Sequence, residues 1–217
     1  MTAPAGPTSE EILARASRSG LALTPEWADA LAAHARSVLR ENDELHLTSI
    51  TEPGEFLERH LGEAFEGAAM LGADAEGPLL DLGSGNGYPG LPLAAARGGL
   101  QLVLSEASVR KAAFLRHVVE ASGLQNVEVL EAQIQRTSDL ADLGPFRWIT
   151  SRAMGGWAKI LPRLHSALGD GGELLVWAGE EMEVVAKRVA WRRLEVVEQR
   201  PLPDRERSWI WRFRARS

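Results

Sequence analysis

Residues 79–93 read Leu-Leu-Asp-Leu-Gly-Ser-Gly-Asn-Gly-Tyr-Pro-Gly-Leu-Pro-Leu, an apolar stretch that runs into closely spaced glycines. The apolar start predicts a buried strand that ends near Asp81, before Gly83, Gly85 and Gly87. Glycine has no Cβ and tolerates positive φ, so the backbone can turn sharply and a ligand can lie against its amides. A helix that begins after the turn adds unpaired N–H groups. The stretch therefore predicts a ligand-binding turn between a strand and a helix.

A second acidic residue indicates what kind of ligand this is. The apolar run Leu100–Leu104 predicts the next strand, and Glu106 follows its end. In nucleoside-binding folds of this type, an acid at that point accepts hydrogen bonds from ribose hydroxyls. If the glycines only formed a tight turn, Glu106 would have no role, so we expect a nucleoside-bearing cofactor.

Two cofactors fit the glycines, and the flanking residues favour one of them. Three glycines match the dinucleotide spacing G-x-G-x-x-G: Gly85, Gly87 and Gly90. Asp81 would repel a pyrophosphate but attract an ammonium group, and Pro89 and Pro92 remove N–H donors from the first helical turn. S-adenosylmethionine carries an ammonium, a sulfonium and a ribose but no phosphate, so we predict it in preference to NAD. The turn and strand residues expected to bind it are Asp81, Gly83, Ser84, Gly85 and Glu106.

The composition is that of a globular protein and excludes thiol chemistry. The chain has 217 residues, of which 45% are hydrophobic and 25% charged, as in proteins with a buried core. It has no cysteine, which excludes disulfides, thiolate metal sites and methyl transfer through a cysteine nucleophile or a cysteine-bound iron–sulfur cluster. No metal-ligand spacing occurs, and no metal is predicted. The lack of a long apolar run or an apolar leader predicts a cytoplasmic protein with no membrane partner.

The charge is distributed unevenly along the chain. The net charge is −6, so the surface as a whole offers no general attraction to nucleic acid. Within residues 187–216, however, ten basic residues are interleaved with Trp191, Trp209, Trp211 and Phe213. This segment fits either an RNA-contacting edge or a hairpin whose arginines are exposed while its aromatic residues are buried. The sequence leaves both interpretations open.

Strand and helix patterns alternate after residue 75 and predict an α/β fold. The predicted strands are 79–82, 101–105, 127–131, 147–151, 173–178, 194–199 and 208–214. The predicted helices are 9–18, 25–42, 53–70, 88–97, 108–122, 156–168 and 180–191. Such alternation is typical of a mostly parallel, Rossmann-like sheet of the class I methyltransferase type, here with an antiparallel pair at one edge. We expect an N-terminal helical element at 1–75 and an S-adenosylmethionine-binding methyltransferase core at 76–217.

Five segments of the chain occur in an order and spacing known from one family. They are Leu47-Thr48-Ser49-Ile50, Arg59-His60-Leu61, Asp81–Leu93, Phe114-Leu115-Arg116 and Ser151-Arg152-Ala153. The most specific part is Pro-Gly-Leu-Pro at 89–92, which generic methyltransferase loops lack. Through these segments the chain resembles the RsmG (GidB) methyltransferases, which modify a guanine of small-subunit ribosomal RNA at N7.

The resemblance implies roles for particular residues. The family's cofactor contacts correspond to Gly83, Tyr88, Ile134, Gln135 and Arg152. Arg152 and His60 are the candidate catalytic residues. Arg59 and Arg152 lie in the matching segments and are expected to contact RNA, and the uneven charge adds Arg207 from the C-terminal arginines. The implied partner is small-subunit ribosomal RNA, free or within an assembling 30S particle, and we expect a monomer.

The chain also departs from the family pattern at several positions. It has His46 where the family usually has Asn, and Glu106 where the family usually has Asp. It has Gln133-Ile134-Gln135 in place of a basic, a small apolar and an acidic residue, and Ala178 in place of Lys. Two alternatives therefore stay open. One is a methyltransferase of another RNA, a protein or a small molecule, and the other is a catalytically inactive cofactor-binding relative.

The expected chemistry needs no general base. Guanine N7 carries a lone pair in the ring plane and no proton, so catalysis there depends on holding the nitrogen in line with the methyl group. The segment after the predicted fourth strand reads Thr-Ser-Arg-Ala-Met, not the Asn/Asp-Pro-Pro-Tyr motif associated with methylation of exocyclic amines. This agrees with a ring-nitrogen acceptor.

Overall fold

A seven-stranded mixed sheet forms the centre of the computed structural model. The structure describes residues 5–132, 134, 140, 143–152, 157–187, 194–203 and 205–216. The strands are β1 (Glu76–Leu82), β2 (Gly99–Glu106), β3 (Val127–Glu131), β4 (Phe146–Arg152), β5 (Leu168–Gly179), β6 (Leu194–Pro201) and β7 (Ser208–Ala215). Their order across the sheet is β3-β2-β1-β4-β5-β7-β6. Strands β1 to β5 are parallel, and β7 runs antiparallel to both β5 and β6.

The strand order sets the place where a ligand can bind. Strand β1 has β2 on one side and β4 on the other, so the chain changes direction across the sheet after β3. In open parallel sheets a crevice forms beyond the carboxyl ends of the strands at such a point. The centre of β1 is fully buried, with Leu79 and Leu80 at 0% exposure, as expected for a strand covered on both faces.

The described helices surround this sheet. They are α1 (Ser9–Arg18), α2 (Pro25–Leu45), α3 (Pro53–Phe56), α4 (Glu63–Leu71), α5 (Gly90–Ala96), α6 (Val109–Ser122), α7 (Trp157–Leu164) and α8 (Glu181–Val185). A single π-helical turn, Leu57–Gly62, joins α3 to α4 without a break. One hydrophobic core is shared by the N-terminal helices and the sheet, since Ile12, Leu31 and Phe65 belong to the same buried cluster as Leu79 and Leu102.

The predicted fold class is confirmed, with differences at the ends of elements. Strand β1 begins at Glu76, within a stretch that lacks the apolar alternation of a strand. Strand β5 begins at Leu168, where a helix was expected to end, because Leu168 pairs with Phe146 of β4. The predicted helix 180–191 is described only to residue 187, and its remainder lies outside the described residues. Within the described part of the chain, no helix has the length and apolar character of a membrane span.

His46, which replaces the family's usual Asn, ends helix α2 in the left-handed conformation, with φ 49° and ψ 55°. Asn is one of the few residues that adopt this conformation readily, and His is also enriched there. The backbone N–H of His46 still closes the last turn by donating to the carbonyl oxygen of Asn42. The replacement therefore keeps the helix end that leads into the segment 47–50.

Helix α4 lies against β5 through a glycine. The indole of Trp177 covers Gly67, and its Nε1 donates to the backbone oxygen of Glu63 at 3.1 Å. A Cβ on Gly67 would lie 2.7 Å from Cη2 of the Trp177 ring, which is shorter than any ordinary contact. The absence of a side chain at residue 67 therefore sets how closely α4 approaches the sheet.

We expect Gly67→Ala to lower the free energy of unfolding by about 1 kcal/mol, the balance of two opposing effects. Alanine would gain about 1 kcal/mol in helix propensity, but the added methyl group overpacks the contact with Trp177 at a cost of about 1–3 kcal/mol. Urea unfolding measures the difference. Gly98→Ala is the matched control, because a Cβ there meets nothing within 4 Å. Equal stabilities of the two variants would contradict this packing.

Candidate functional site

A cavity of about 620 Å³ opens at the carboxyl edge of the sheet. Its walls come from the turn after β1, from the ends of β4 and β5, from the segment 47–63 and from the β6–β7 connection. The lining residues used below are Thr48, Arg59, His60, Glu63, Gly83, Ser84, Gly85, Tyr88, Arg152, Ala178, Gly179, Glu181 and Arg205. Elements distant in sequence thus meet where the strand order predicts a ligand.

The turn after β1 is held against β2 and is open to the cavity. The backbone N–H groups of Gly83 and Ser84 both donate to the carbonyl oxygen of Ser105, at 2.9 and 3.0 Å. Gly85 adopts the left-handed conformation with φ +54°, and a Cβ built on it would meet nothing nearer than the Gly83 oxygen at 3.8 Å. Glycine is required at Gly85 by the backbone conformation, and the space in front of it belongs to the cavity.

Asp81 lies under this turn rather than in the cavity. Asp81 is only 1% exposed. Its Oδ1 accepts a hydrogen bond from the Thr150 hydroxyl at 2.9 Å. Oδ2 has no hydrogen-bond partner among the described residues. Burial raises the pKa of Asp81 to about 6. The carboxylate therefore lies beneath the turn, and its attraction for the cofactor's ammonium group stays a prediction.

Glu106 ends β2 and supports the turn directly. Its Oε2 accepts a hydrogen bond from the Gly85 backbone N–H at 2.9 Å, and its Oε1 accepts one from Ser108 at 2.7 Å. The carboxylate thus lies beside the turn, outside the wall of the cavity itself.

Ile134, of the triplet that follows β3, is half-buried and packs against the hydrophobic cluster that contains Leu80 and Leu82 of β1. The other two residues of that triplet, Gln133 and Gln135, lie outside the described residues.

Arg152 and His60 meet at the opposite wall. Arg152, at the end of β4, donates from Nη1 to the backbone oxygen of Arg59 at 2.7 Å and from Nη2 to Nδ1 of His60 at 2.5 Å. The other ring nitrogen, Nε2, lies 2.8 Å from the Thr48 hydroxyl. Because a guanidinium can only donate, Nδ1 must accept, and the proton of His60 is on Nε2. The ring therefore joins the end of β4 to the segment 47–50.

This environment keeps His60 neutral. Burial, together with the positive charge of Arg152, lowers the pKa of His60 to about 2. Both ring nitrogens are engaged in hydrogen bonds, so the ring is not available as a general base at neutral pH. His60 positions Arg152, and of the two candidate catalytic residues only Arg152 presents a charged group to the cavity.

A column of three rings stands behind the glycine turn. Tyr88 stacks on His34 with ring centroids 4.6 Å apart and on His60 at 5.0 Å. Nε2 of His34 donates to the Asn86 backbone oxygen at 2.7 Å, and burial lowers the pKa of His34 to about 4. The buried hydroxyl of Tyr88 has no hydrogen-bond partner among the described residues. The column fixes the turn relative to helix α2 and the π-helical turn.

Glu63 gathers three arginines at the cavity wall, an arrangement that sequence reasoning missed. Its Oε1 lies 3.2 Å from Nε of Arg59 and 3.2 Å from Nη1 of Arg205, and its Oε2 lies 3.7 Å from Nη1 of Arg152. The carboxylate is almost fully buried, at 5% side-chain exposure. The four-residue spacing of Arg59 and Glu63 on a helix was the one local signal available. Arg205 is distant in sequence and carried no such signal.

The C-terminal arginines and aromatic residues belong mainly to the sheet. In β7, Trp211 and Phe213 are buried, while Arg212 and Arg214 both pair with Glu173 of β5. This is the hairpin interpretation of the segment. Trp191 lies outside the described residues.

Arg207, predicted to bind RNA, is exposed and paired with Glu180, and it does not line the cavity. Arg59 and Arg152, the other two predicted RNA contacts, do line it.

Ala178 and Gly179 form part of the cavity wall near β7. Ala178, a small apolar residue, therefore stands in the wall at the position where the family usually has Lys. In the described ranges, no group of three or more acidic or histidine side chains could hold a metal ion.

We expect acid to destabilise the protein through its buried histidines. Unfolded histidine takes up a proton near its ordinary pKa of 6.5, but folded His34 and His60 do not until about pH 4 and 2. Each therefore removes about 1.4 kcal/mol of stability per pH unit as the pH falls below 6.5. Asp81 has the opposite effect. Its pKa is raised to about 6 in the folded protein, so between pH 6 and 4 it takes up a proton on the folded side and cancels the loss of stability due to one of the two histidines.

Urea unfolding between pH 7 and 4.5 measures this slope. His60→Gln should reduce it, because glutamine can still accept from Arg152 and does not titrate. His117→Gln, on the exposed face of α6, is the matched control and should leave it unchanged. If both variants keep the slope of the unaltered protein, His60 is not a buried neutral ring.

Known structures share this fold. Among solved structures, a SAM-dependent methyltransferase from Aquifex aeolicus superposes with a TM-score of 0.56 at 14% identity, covering 74% of this chain and 92% of that one. A precorrin-6y C5,15-methyltransferase from Geobacter metallireducens gives a TM-score of 0.54 at 15% identity, covering 82% and 96%. At these identities the similarity shows the fold.

Sequence comparisons define the family. The model of the GidB family, described as rRNA small subunit methyltransferase G, matches residues 28–201. Ribosomal RNA small subunit methyltransferase G of Stenotrophomonas maltophilia is 38% identical over 159 residues, 72% of each chain. The protein of the same name from Leptothrix cholodnii is 30% identical over 211 residues, 94% of this chain and 95% of that one. The chain therefore belongs to the GidB (RsmG) family of small-subunit ribosomal RNA methyltransferases.

Proposed function

We propose that this protein transfers a methyl group from S-adenosylmethionine to N7 of a guanine in small-subunit ribosomal RNA. One observation carries the proposal beyond family membership. The open turn at Gly85 and the fixed cation of Arg152 line the same cavity at the carboxyl edge of a methyltransferase sheet. That cavity can hold a nucleoside cofactor on one side and an acceptor base on the other.

The residues of the turn fit the cofactor. Gly85 leaves room for close approach, and Glu106 uses only two of the roughly four acceptor sites of a carboxylate. We infer that Glu106 accepts the ribose hydroxyls. The remaining contacts that we propose are Gly83, Ser84, Tyr88, Ile134, Gln135 and Arg152. When bound, S-adenosylmethionine supplies an electrophilic methyl group on a sulfonium. We also propose Asp81, whose Oδ2 has no partner among the described residues, as the acid that attracts the ammonium group from beneath the turn.

The protein contributes to the reaction by holding the guanine base in position. Guanine N7 attacks with a lone pair and releases no proton, so a neutral, fully bonded His60 is compatible with the chemistry. Two hydrogen bonds fix Arg152, and each of its Nη atoms has a second N–H. Guanine presents O6 beside N7, and arginine is a common partner of that edge. We infer that Arg152 orients the base through O6 and leaves the N7 lone pair free.

From this assignment we infer the role of the N-terminal element, the form of the RNA substrate and the location of the protein. The N-terminal element at 1–75 would complete the site that the core at 76–217 begins, because Thr48, Arg59 and His60 come from it. The substrate would be ribosomal RNA, free or in an assembling 30S particle, bound by a monomer through Arg59 and Arg152, with Arg207 at the periphery. The location would be the cytoplasm, where ribosomal subunits assemble.

We expect Gly85→Ala to weaken binding of S-adenosylhomocysteine by about tenfold or more, since a methyl group that blocks close packing costs about 1–3 kcal/mol. Calorimetry measures the affinity. The control is Gly20→Ala, whose backbone is also left-handed, with φ +72° and open space around it. Both variants should lose about 1–2 kcal/mol of stability from the strained backbone. If Gly85→Ala and Gly20→Ala bind S-adenosylhomocysteine with equal affinity, the cofactor does not lie against Gly85.

The assignment of the acceptor is tested on the RNA itself. We expect the purified protein, given S-adenosylmethionine and small ribosomal subunits from a strain that lacks the gene, to create one new site of cleavage specific for N7-methylguanine. The same site should be present in the parent strain. An unchanged cleavage pattern would contradict the proposal and favour a different acceptor or an inactive relative.

A further inference from the structure

We propose that Arg59 and Arg205, joined by Glu63, form a binding subsite for a backbone phosphate of the RNA substrate at the cavity wall. The inference rests on the proposed function in that it assumes an RNA substrate. It assigns a contact to Arg205 that the sequence did not, and it ranks Arg205 above the exposed Arg207.

Positive charge exceeds negative charge around one buried carboxylate. A buried carboxylate is normally paired with an opposite charge, but Glu63 has three arginines within 3.2 to 3.7 Å. Of these, Arg59 also pairs with Glu55 at 3.2 Å. Three guanidinium groups against two carboxylates leave one positive charge that an anion from outside the chain can balance.

Arg59 and Arg205 keep hydrogen-bond donors that their contacts within the protein do not use. Arg205 uses Nη1 on Glu63, and no other partner of its five N–H groups lies among the described residues. Arg59 uses Nε on Glu63 and Nη1 on Glu55 at 3.2 Å. Both side chains are 33% exposed and line the cavity. Two guanidinium groups on one carboxylate leave N–H groups that can reach a phosphate, a ligand that arginine favours.

Arg152 has a different role from this pair. It is only 16% exposed, against 33% for Arg59 and Arg205, and the N–H groups that its contacts leave are those assigned above to the guanine base. This separates the cavity wall into a base-orienting cation at the end of β4 and a phosphate-binding pair beyond it.

The cavity wall carries a net positive charge on an acidic protein. The chain has a net charge of −6, but three arginines line the cavity against two acids, Glu63 and Glu181. Outside the cavity, Arg207 pairs with Glu180, Arg214 pairs with Glu173, and Arg212 pairs with both Glu173 and Glu198. A net positive charge inside a cleft raises the local potential that attracts an anion. The RNA backbone would be drawn to this wall.

The test uses Arg205→Gln in the full-length protein, with Arg147→Gln as the matched control. Arg147 is exposed at the opposite end of β4 and undergoes the same change of charge. The probe is small-subunit RNA from a strain that lacks the gene, bound at several salt concentrations. We expect Arg205→Gln to reduce the slope of log affinity against log salt by about 0.7–0.9, the value for one phosphate contact. Arg205→Lys should retain the slope, and so should Arg147→Gln.

Cofactor binding distinguishes the possible anions. Affinity for S-adenosylhomocysteine should be unchanged in Arg205→Gln, because we assign the anion to the RNA. A loss of that affinity would assign the subsite to the cofactor's carboxylate and overturn the proposal, and so would a salt slope equal to that of Arg147→Gln. If the unaltered protein binds the RNA but leaves guanine N7 unmethylated, the proposed function fails, and the salt slopes still decide the subsite.

Discussion

The burial of one cation, Arg152, determines how the site is built. A guanidinium stays charged at any accessible pH, so at 16% exposure it must find partners within the protein. All three that the structure describes come from a single stretch of the N-terminal helices: the Arg59 backbone oxygen, the His60 ring and the Glu63 carboxylate. Satisfying this charge therefore fixes the N-terminal helices over the carboxyl edge of the sheet, and the cavity is the space between them.

The same constraint determines what kind of chemistry the site can do. A ring that accepts from Arg152 and is shielded from water stays neutral near neutral pH, so His60 contributes to the wall through its hydrogen bonds. The stacked Tyr88 and His34 extend that wall to the glycine turn. Such a site is suited to an acceptor that needs orientation but no deprotonation. Guanine N7 is an acceptor of that kind, which connects the rigidity of the site with the activity of the family.

An acidic protein that acts on RNA also has to place its positive charge selectively. Most arginines outside the cavity have carboxylate partners, and ion pairs of that kind contribute little attraction at a distance. At the cavity wall three arginines share Glu63, and of the three only Arg59 has a second carboxylate partner, Glu55, among the described residues. The attraction is therefore local, and a local contact is more sensitive to the shape of the RNA than a general basic surface would be.

Local apolar periodicity and the backbone freedom of glycine were enough to predict the fold class, the positions of the strands and the turn at Gly83–Gly87. They also placed Arg152 and Glu106 at the ends of strands, where the structure has them. The burial of Asp81 beneath the turn, the two hydrogen bonds of His60 and the contact of Arg205 with Glu63 became visible only in the folded molecule. Burial and side-chain pairing between distant segments depend on how helices and strands pack, and that packing leaves no periodic signal in the chain.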